Sequence, residues 1–433
     1  MLARNSVPDR ALAAFILGCW AIWQTASFWD VWATDMSAIY FAAYFAYAGE
    51  PAQIFASPEY FFGLDFPQRW IEQRNALGYF EEALVPYVYP PIWAYVLGPI
   101  AGNSDPLEFF NYARLFLYGS FSATIYLIWA IVREKTKWSA TVFATVSMII
   151  ASQTIPYQFA AGLAQPQLIV FFLIALAFWL YVNGMDIGAG VALGLAAALK
   201  ITPIFLVLIL VMDRRHRATI VTFATSGAIA LSSVLVAGWP LHEILLEQMS
   251  LIDAGVPLIG LNTNFELFMH RTFVPEHFRV ELGNDGFVTA NVAAITWASH
   301  AGLLLSVLAT IRATTKLDLV DRTFVRLMGI YSFTFFFGPL AWIHYYVLTF
   351  LMLPLFVHLV GVRLVFVVMT ALVGATSYYT TVTLLYMAEG FAFFQTMFAP
   401  ILFACVAATI YAAGAMRKSP GKAELKQADP VPV

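Results

Sequence analysis

The sequence predicts an all-α polytopic membrane protein. Hydrophobic residues make up 61% of the 433 and charged residues 11%, against about 45–50% and about 25% in soluble domains. Apolar stretches long enough to cross a bilayer recur along the chain, and the turns between them are alternately acidic and rich in lysine and arginine, the pattern that sets orientation. A formal net charge of −3 provides no basic field for a nucleic acid. Cys19 and Cys405 both fall inside apolar stretches, so neither a disulfide framework nor a zinc-ligand spacing is present.

Arg4 and Arg10 precede an apolar run from Ala11 to Trp29. A cleaved signal peptide is the alternative to a first span, but the run is near the ~20 residues that a spanning helix needs. With the N-terminus inside, the segment after this span is external. It carries Asp30, Asp35, Glu50, Glu59, Asp65, Glu72, Glu81 and Glu82 against Arg69 and Arg74. Ile39 to Tyr47 reads as a helix lying at the interface, and Pro90 to Ala101 as a second surface or re-entrant helix, too short to span.

Phe109 to Val132 runs inward to Arg133, Lys135 and Lys137, and Trp138 to Ile155 returns. Pro156 to Pro166 is expected to be an external loop, and Gln167 to Val182 crosses back to Asn183. Ile187 to Leu199 and Pro203 to Met212 are each about half to two-thirds of a span. They form a two-legged hairpin that carries Lys200 at its tip and returns to Arg214, Arg215 and Arg217. A lysine there is costly unless it pairs with an anion, meets a carbonyl or carboxylate of the bundle, or opens to a wet cavity.

Ala218 to Gly238 crosses outward, and Leu241 to Thr289 forms a second large external loop with Asn262 and Asn264 in a turn-like stretch. Asn291–Ile311, Thr323–Gly338, Ala341–Leu359, Leu364–Leu384 and Phe391–Met416 complete the crossings. The expectation is about ten full spans plus the hairpin, with external loops at 30–109 and 241–289. Residues 1–416 form one domain, and residues 417–433 form a disordered cytoplasmic tail. Because the large loops are external and the cytoplasmic turns short, a catalytic centre is expected on the outer face.

Asp35 follows the first span closely, which places a carboxylate at the rim of the bilayer where membrane-bound substrates meet it. The competing reading is a helix N-cap at the start of Asp35-Met36-Ser37-Ala38. Arg114 reads equally as a headgroup anchor. Tyr89-Pro90-Pro91 reads as geometric, since adjacent prolines stop one segment and start the next helix. Glu81 with Glu82 is a second acid pair or a solvated face. No Asp-x-Asp pair lies at the mouth of the first span, so no metal is expected.

Four local features together resemble a known family. They are Asp35 followed by Tyr40, Tyr89-Pro90-Pro91 before a short apolar helix, a Gly-rich helix ending in Lys200 with Pro203 behind it, and Trp342-Ile343-His344-Tyr345-Tyr346 running into Pro354. In this order they resemble the GT-C superfamily of lipid-linked sugar transferases, in its polyprenyl-phosphate-mannose-dependent alpha-1,2-mannosyltransferase branch, glycosyltransferase family 87. The similarity runs from about Ala11 to Met416. The chain departs from the family at Gln165-Pro166-Gln167, where a Gly-Gln-Asn type triplet is frequent, and at His344-Tyr345, where a double histidine is frequent.

The resemblance implies an inverting membrane glycosyltransferase of the cell inner (plasma) membrane, with its site on the periplasmic or extracellular side. The donor is a polyprenyl-phosphate hexose, mannose by resemblance, and the acceptor is a lipid or glycan hydroxyl. No cofactor is implied. Asp35 is then the general base and His344 a catalytic partner; Lys200, Arg114 and His344 are the candidates for the donor phosphate, and Tyr40, Asn262, Asn264 and Glu81 for sugar or acceptor. Two alternatives stay open: another activity of the superfamily (protein O-mannosyl transfer, lipid A sugar transfer, polysaccharide ligation), or a secondary transporter. The latter usually shows two related halves, whereas Asn291 to Met416, with Glu389, His344 and His358 near its helices, has no counterpart of the Lys200 hairpin.

Overall fold

The computed structural model describes residues 6–55, 67–257, 262–275, 279–282, 286–290, 292–377, 379–381 and 394–416. The acids Glu59, Asp65 and Glu389 and the expected tail at 417–433 lie outside the described residues. The fold is helical. Among the described residues, five helices are long and apolar enough to cross a membrane, or six if one sharply bent pair counts as a span. The chain is therefore a multi-pass membrane protein, but the expected count of about ten full spans is not reached by this measure, because several of the apolar runs fold as shorter or broken helices.

Helix α1 (Val7–Ser27) starts at Ser6, whose hydroxyl accepts from Asp9 N at 3.3 Å. The Asp9 carboxylate in turn accepts from Ala140 N at 2.9 Å and Thr141 N at 3.2 Å, capping α6 (Ala140–Gln153) from a neighbouring helix. The donors at a helix N-terminus lack intrahelical partners, so a buried carboxylate there is well satisfied. Helix α2 (Thr34–Tyr47) and α3 (Gln68–Ala76) follow, then α4 (Ile92–Ala101) and α5 (Pro106–Val132).

The expected loop Pro156 to Pro166 is instead largely helical. Thr154 is extended and Pro156 sits in the first turn of α7 (Ile155–Gly162), where a proline costs no hydrogen bond. Helix α8 (Gln167–Val182) then leaves at 114° to α7.

The hairpin is present as expected, with α9 (Asp186–Leu199), a 3-10 turn over Thr202–Leu206, and α10 (Val207–Met212). Helix α11 (His216–Ala237) packs closely along α9. Two glycines permit this: a Cβ on Gly190 would lie 2.6 Å from Ala218 O, and one on Gly194 2.7 Å from Thr225 Cβ. Small residues at such a contact let backbones approach where no hydrophobic force drives helices together.

Helix α4 is clasped to α2 in the same manner, since a Cβ on Gly98 would lie 3.3 Å from Ala43 O. Its first turn is tied to both neighbours: Ile92 N donates to Ser233 Oγ at 3.2 Å, and Trp93 Nε1 donates to Ala198 O at 3.1 Å. Helices α2, α4, α9 and α11 thus form one platform, which carries Asp35 in the first turn of α2, Tyr89 just before α4 and Lys200 at the end of α9.

At the far end of the hairpin, Asp213 accepts from Tyr181 Oη at 2.6 Å and pairs with Arg326 at 2.8 Å and Arg322 at 3.2 Å. These links join α8 and α10 to α15 (Leu319–Phe336).

The second large loop is not built of interfacial helices alone. It holds α12 (Trp239–Ala254) and α13 (Phe265–Phe273), and a three-stranded antiparallel sheet of β1 (Gly255–Pro257), β3 (Gly286–Ala290) and β2 (Arg279–Leu282), in that order. The alternation in Arg279-Val280-Glu281-Leu282 and the β-branched and aromatic residues of Phe287-Val288-Thr289 suit paired strands.

Helix α14 (Ala293–Thr314) runs back along α15, and both α11 and α14 leave most of their apolar surface exposed. In a membrane protein that surface faces lipid. Where Ala341–Leu359 was expected to be one span, Ile343–Val360 is a series of short α-helical and 3-10 pieces broken around Pro354. Val362–Thr376 and Ala399–Met416 close the bundle.

Candidate active site

Lys200 belongs to one of the four motifs noted in the sequence, and each of the other three brings one or two residues to it: Asp35, Tyr89, and His344 with Tyr345. Lys200 ends α9 in an extended conformation (φ −141°, ψ 133°), so the chain turns sharply at Thr202-Pro203 and the side chain leaves the helix axis. Its Nζ donates to Tyr345 Oη at 3.3 Å and lies 4.5 Å from the centroid of the Tyr345 ring. On another side the ammonium is 5.9 Å from the ring of Tyr89. Cations placed on aromatic faces in this way are held by the ring quadrupole.

Asp35 sits in the first turn of α2, close enough to Lys200 for the ammonium to be the main charge acting on it. Burial raises its carboxyl to about 7, and Lys200 draws it part of the way back. The N-cap reading of Asp35 is corrected here. Ala33 occupies the cap position and offers no side-chain hydrogen bond, while Asp35 lies inside the helix. A carboxylate in a first turn still gains from the helix dipole.

The raised carboxyl has a measurable consequence. Below about pH 7 Asp35 holds its own proton and cannot take another. If it acts as base, kcat/KM for transfer should therefore fall about tenfold per pH unit on the acid side. A rate that stays flat from pH 5 to pH 8 would contradict this.

His344 is buried, and its Nε2 has no hydrogen-bond partner. Its ring meets Tyr345 edge to face at 4.8 Å, and it lies within the electrostatic reach of Lys200. The His344 segment is held by the loop that carries the two asparagines. Asn262 Oδ1 accepts from Ala341 N at 2.9 Å, Thr263 N donates to Ala341 O at 2.7 Å, and Tyr346 Oη donates to Thr263 O at 2.9 Å. Asn264 Nδ2 donates to Gly338 O at 2.9 Å and Pro339 O at 2.8 Å, while its Oδ1 caps α13 through Leu267 N at 2.8 Å.

Both asparagines are fully buried. They position His344 and Tyr345 rather than offering themselves to a sugar. Asn264→Ala should cost about 1–3 kcal/mol of stability, from a lost cap and two stranded carbonyls. Asn264→Asp, which keeps the cap acceptor but not the donor, should recover only part. Thermal unfolding in detergent checks this; an unchanged midpoint with a raised KM would return Asn264 to sugar binding.

The remaining candidates lie elsewhere. Arg114 is buried on α5, where Nη1 donates to Phe28 O at 2.7 Å and the guanidinium lies 5.9 Å from the Phe28 ring. It anchors the end of α1 beside Asp30 and Asn111, whose side chains bond at 2.9 Å. Tyr40 is buried among Phe41, Phe109 and Phe110, with its hydroxyl donating to Ser104 O at 2.9 Å. Glu81 is exposed in a turn at φ 66°.

Two tyrosines absent from the expected site are at its centre. Tyr89 belongs to the motif read as geometric: Pro91 does open α4, but the ring before it faces the ammonium. Tyr345 adjoins His344 in the motif itself. Among the described residues, no group of three or more His, Cys, Asp or Glu is arranged to hold a metal ion.

The model of glycosyltransferase family 87 matches residues 87–254. The matched stretch contains Tyr89 and Lys200, whereas Asp35, His344 and Tyr345 fall outside it. No curated protein matches the chain.

Proposed function

We propose, from the match of residues 87–254 to the family 87 model, that this chain is a membrane glycosyltransferase that moves a hexose, mannose by family resemblance, from a polyprenyl phosphate to a hydroxyl of a lipid or glycan acceptor with inversion at the anomeric carbon. The observation that carries this reading is the meeting of a half-buried lysine, a carboxyl raised to about 7 and a buried histidine whose Nε2 has no hydrogen-bond partner, at one point of the fold.

In this reading the acceptor oxygen attacks the anomeric carbon as the bond from that carbon to the phosphate oxygen breaks. The electron pair leaves with the polyprenyl phosphate, and the acceptor proton passes to Asp35. Lys200 stabilises the charge that gathers on the departing phosphate, and His344 Nε2 offers a further hydrogen bond to it. The inner membrane and its outer face are the proposed location, supported by the acidic large loops and basic short turns.

The test is reconstituted protein supplied with radiolabelled polyprenyl-phosphate sugars. Label passing to a lipid or glycan acceptor is the expected result. Uptake of free solute without transfer would overturn it in favour of a transporter. Mass analysis of glycolipids from cells with and without the gene identifies the acceptor.

A further inference from the structure

The residue beside His344 is the one that touches Lys200. Tyr345 Oη accepts the ammonium's hydrogen bond at 3.3 Å, and the same ring presents its face to Nζ at 4.5 Å. The ring is fixed from several directions. Phe335 packs on it at 4.7 Å, His344 at 4.8 Å, and Tyr331 Oη donates to the Tyr345 carbonyl at 2.7 Å. Its neighbours His344 and Tyr346 are buried, whereas Tyr345 itself is partly exposed and so lines the space beside Lys200. A phenol that accepts from an ammonium keeps its own proton to donate. Neither phenylalanine nor alanine can do both.

We propose that Tyr345 forms a two-point phosphate clamp with Lys200: its ring and hydroxyl oxygen hold the ammonium in place, and its hydroxyl proton is donated to the same phosphate oxyanion that Lys200 binds. This rests on the reading of Lys200 as the donor-phosphate residue. The ligand chemistry is a phosphate oxyanion, and the lipid-linked and free forms are separated by experiment. Tyr89, 5.9 Å from Nζ, closes a second side of the ammonium without a hydrogen bond to it among those formed in the structure.

The test measures binding of a short-chain polyprenyl phosphate to the full chain in detergent, with the matching polyprenol and inorganic phosphate as separate probes. Tyr345→Phe keeps the ring and loses the hydroxyl. It should weaken polyprenyl phosphate about 10- to 100-fold, the scale of a hydrogen bond to a charged group, leave polyprenol binding and thermal unfolding unchanged, and do much less in a Lys200→Ala background. Tyr345→His, whose imidazole can accept and donate, should recover part of the loss.

Wild-type binding by Tyr345→Phe, with Lys200→Ala impaired, would overturn the clamp and leave the Lys200 reading standing. Equal losses of Tyr345→Phe in both backgrounds would also overturn it, as would a loss of polyprenol binding of the same size. Undiminished binding by Lys200→Ala would overturn the underlying reading instead. Inorganic phosphate bound as tightly as the lipid would show a free-anion site in place of a donor site.

Discussion

Lys200→Ala is expected to slow transfer at subsaturating donor by about 10²- to 10³-fold, the effect of removing one preorganised charge-stabilising donor. The fold should survive the change. The partners of Nζ are a phenol oxygen and two ring faces, and trimming a lysine from such a setting leaves no carboxylate stripped of a hydrogen bond. The variant has a second signature. Lys200 lowers the Asp35 carboxyl against the effect of burial, so its loss should move the acid limb of kcat/KM to higher pH. Lys200→Arg should restore the position of that limb better than the rate, because a planar guanidinium does not replace a compact ammonium between two rings. A limb that stays in place in Lys200→Ala would mean that the two charges do not act on one another.

Asp35→Asn is expected to reduce transfer by about 10²- to 10⁴-fold, the range of general-base catalysis, while leaving the donor bound. The amide has almost the same shape as the acid and keeps the acceptor oxygen, but it cannot take a proton. Since Ala33, not Asp35, is the cap of α2, the substitution removes no capping bond, and a loss of helix stability is not the expected route to inactivity. A carboxyl held near neutrality by burial is matched to proton transfer at physiological pH in a way that a solvated one is not.

Much of this site was legible in the sequence, and the residues show why. Lys200 stood out because a cation between two half-length apolar helices must be either paired or wet, and in the structure its ammonium meets Tyr345. Asp35 stood out by its place after the first apolar run. The boundaries of α8 and α9 followed from continuous apolar stretches ended by Asn183-Gly184 and Lys200.

Long-range pairing was not legible. Nothing local distinguishes Arg114, which anchors Phe28, from a phosphate ligand, because both need a guanidinium near a membrane boundary. Asn262 and Asn264 look like turn residues or sugar ligands until the Gly338–Trp342 backbone is seen against them. Tyr345 was masked by the imidazole beside it, since aromatic residues make up 16% of this chain and one more tyrosine draws no notice. The break between α7 and α8, at 114°, and the one around Pro354 interrupt stretches whose hydropathy is continuous.

The central claim is that Asp35 is the base of a site it shares with Lys200, and the most direct measurement compares Asp35→Asn, Asp30→Asn and Glu81→Gln side by side. Each variant is loaded with labelled polyprenyl-phosphate sugar, bound donor is measured, and a single turnover to acceptor is followed. Asp30 is engaged with Asn111 and Glu81 is exposed in a turn, so both of those variants should transfer sugar within a few-fold of wild type, while Asp35→Asn binds donor and transfers none. If Asp35→Asn kept even a tenth of the activity while Asp30→Asn or Glu81→Gln lost it, the base would lie elsewhere and the account would be contradicted.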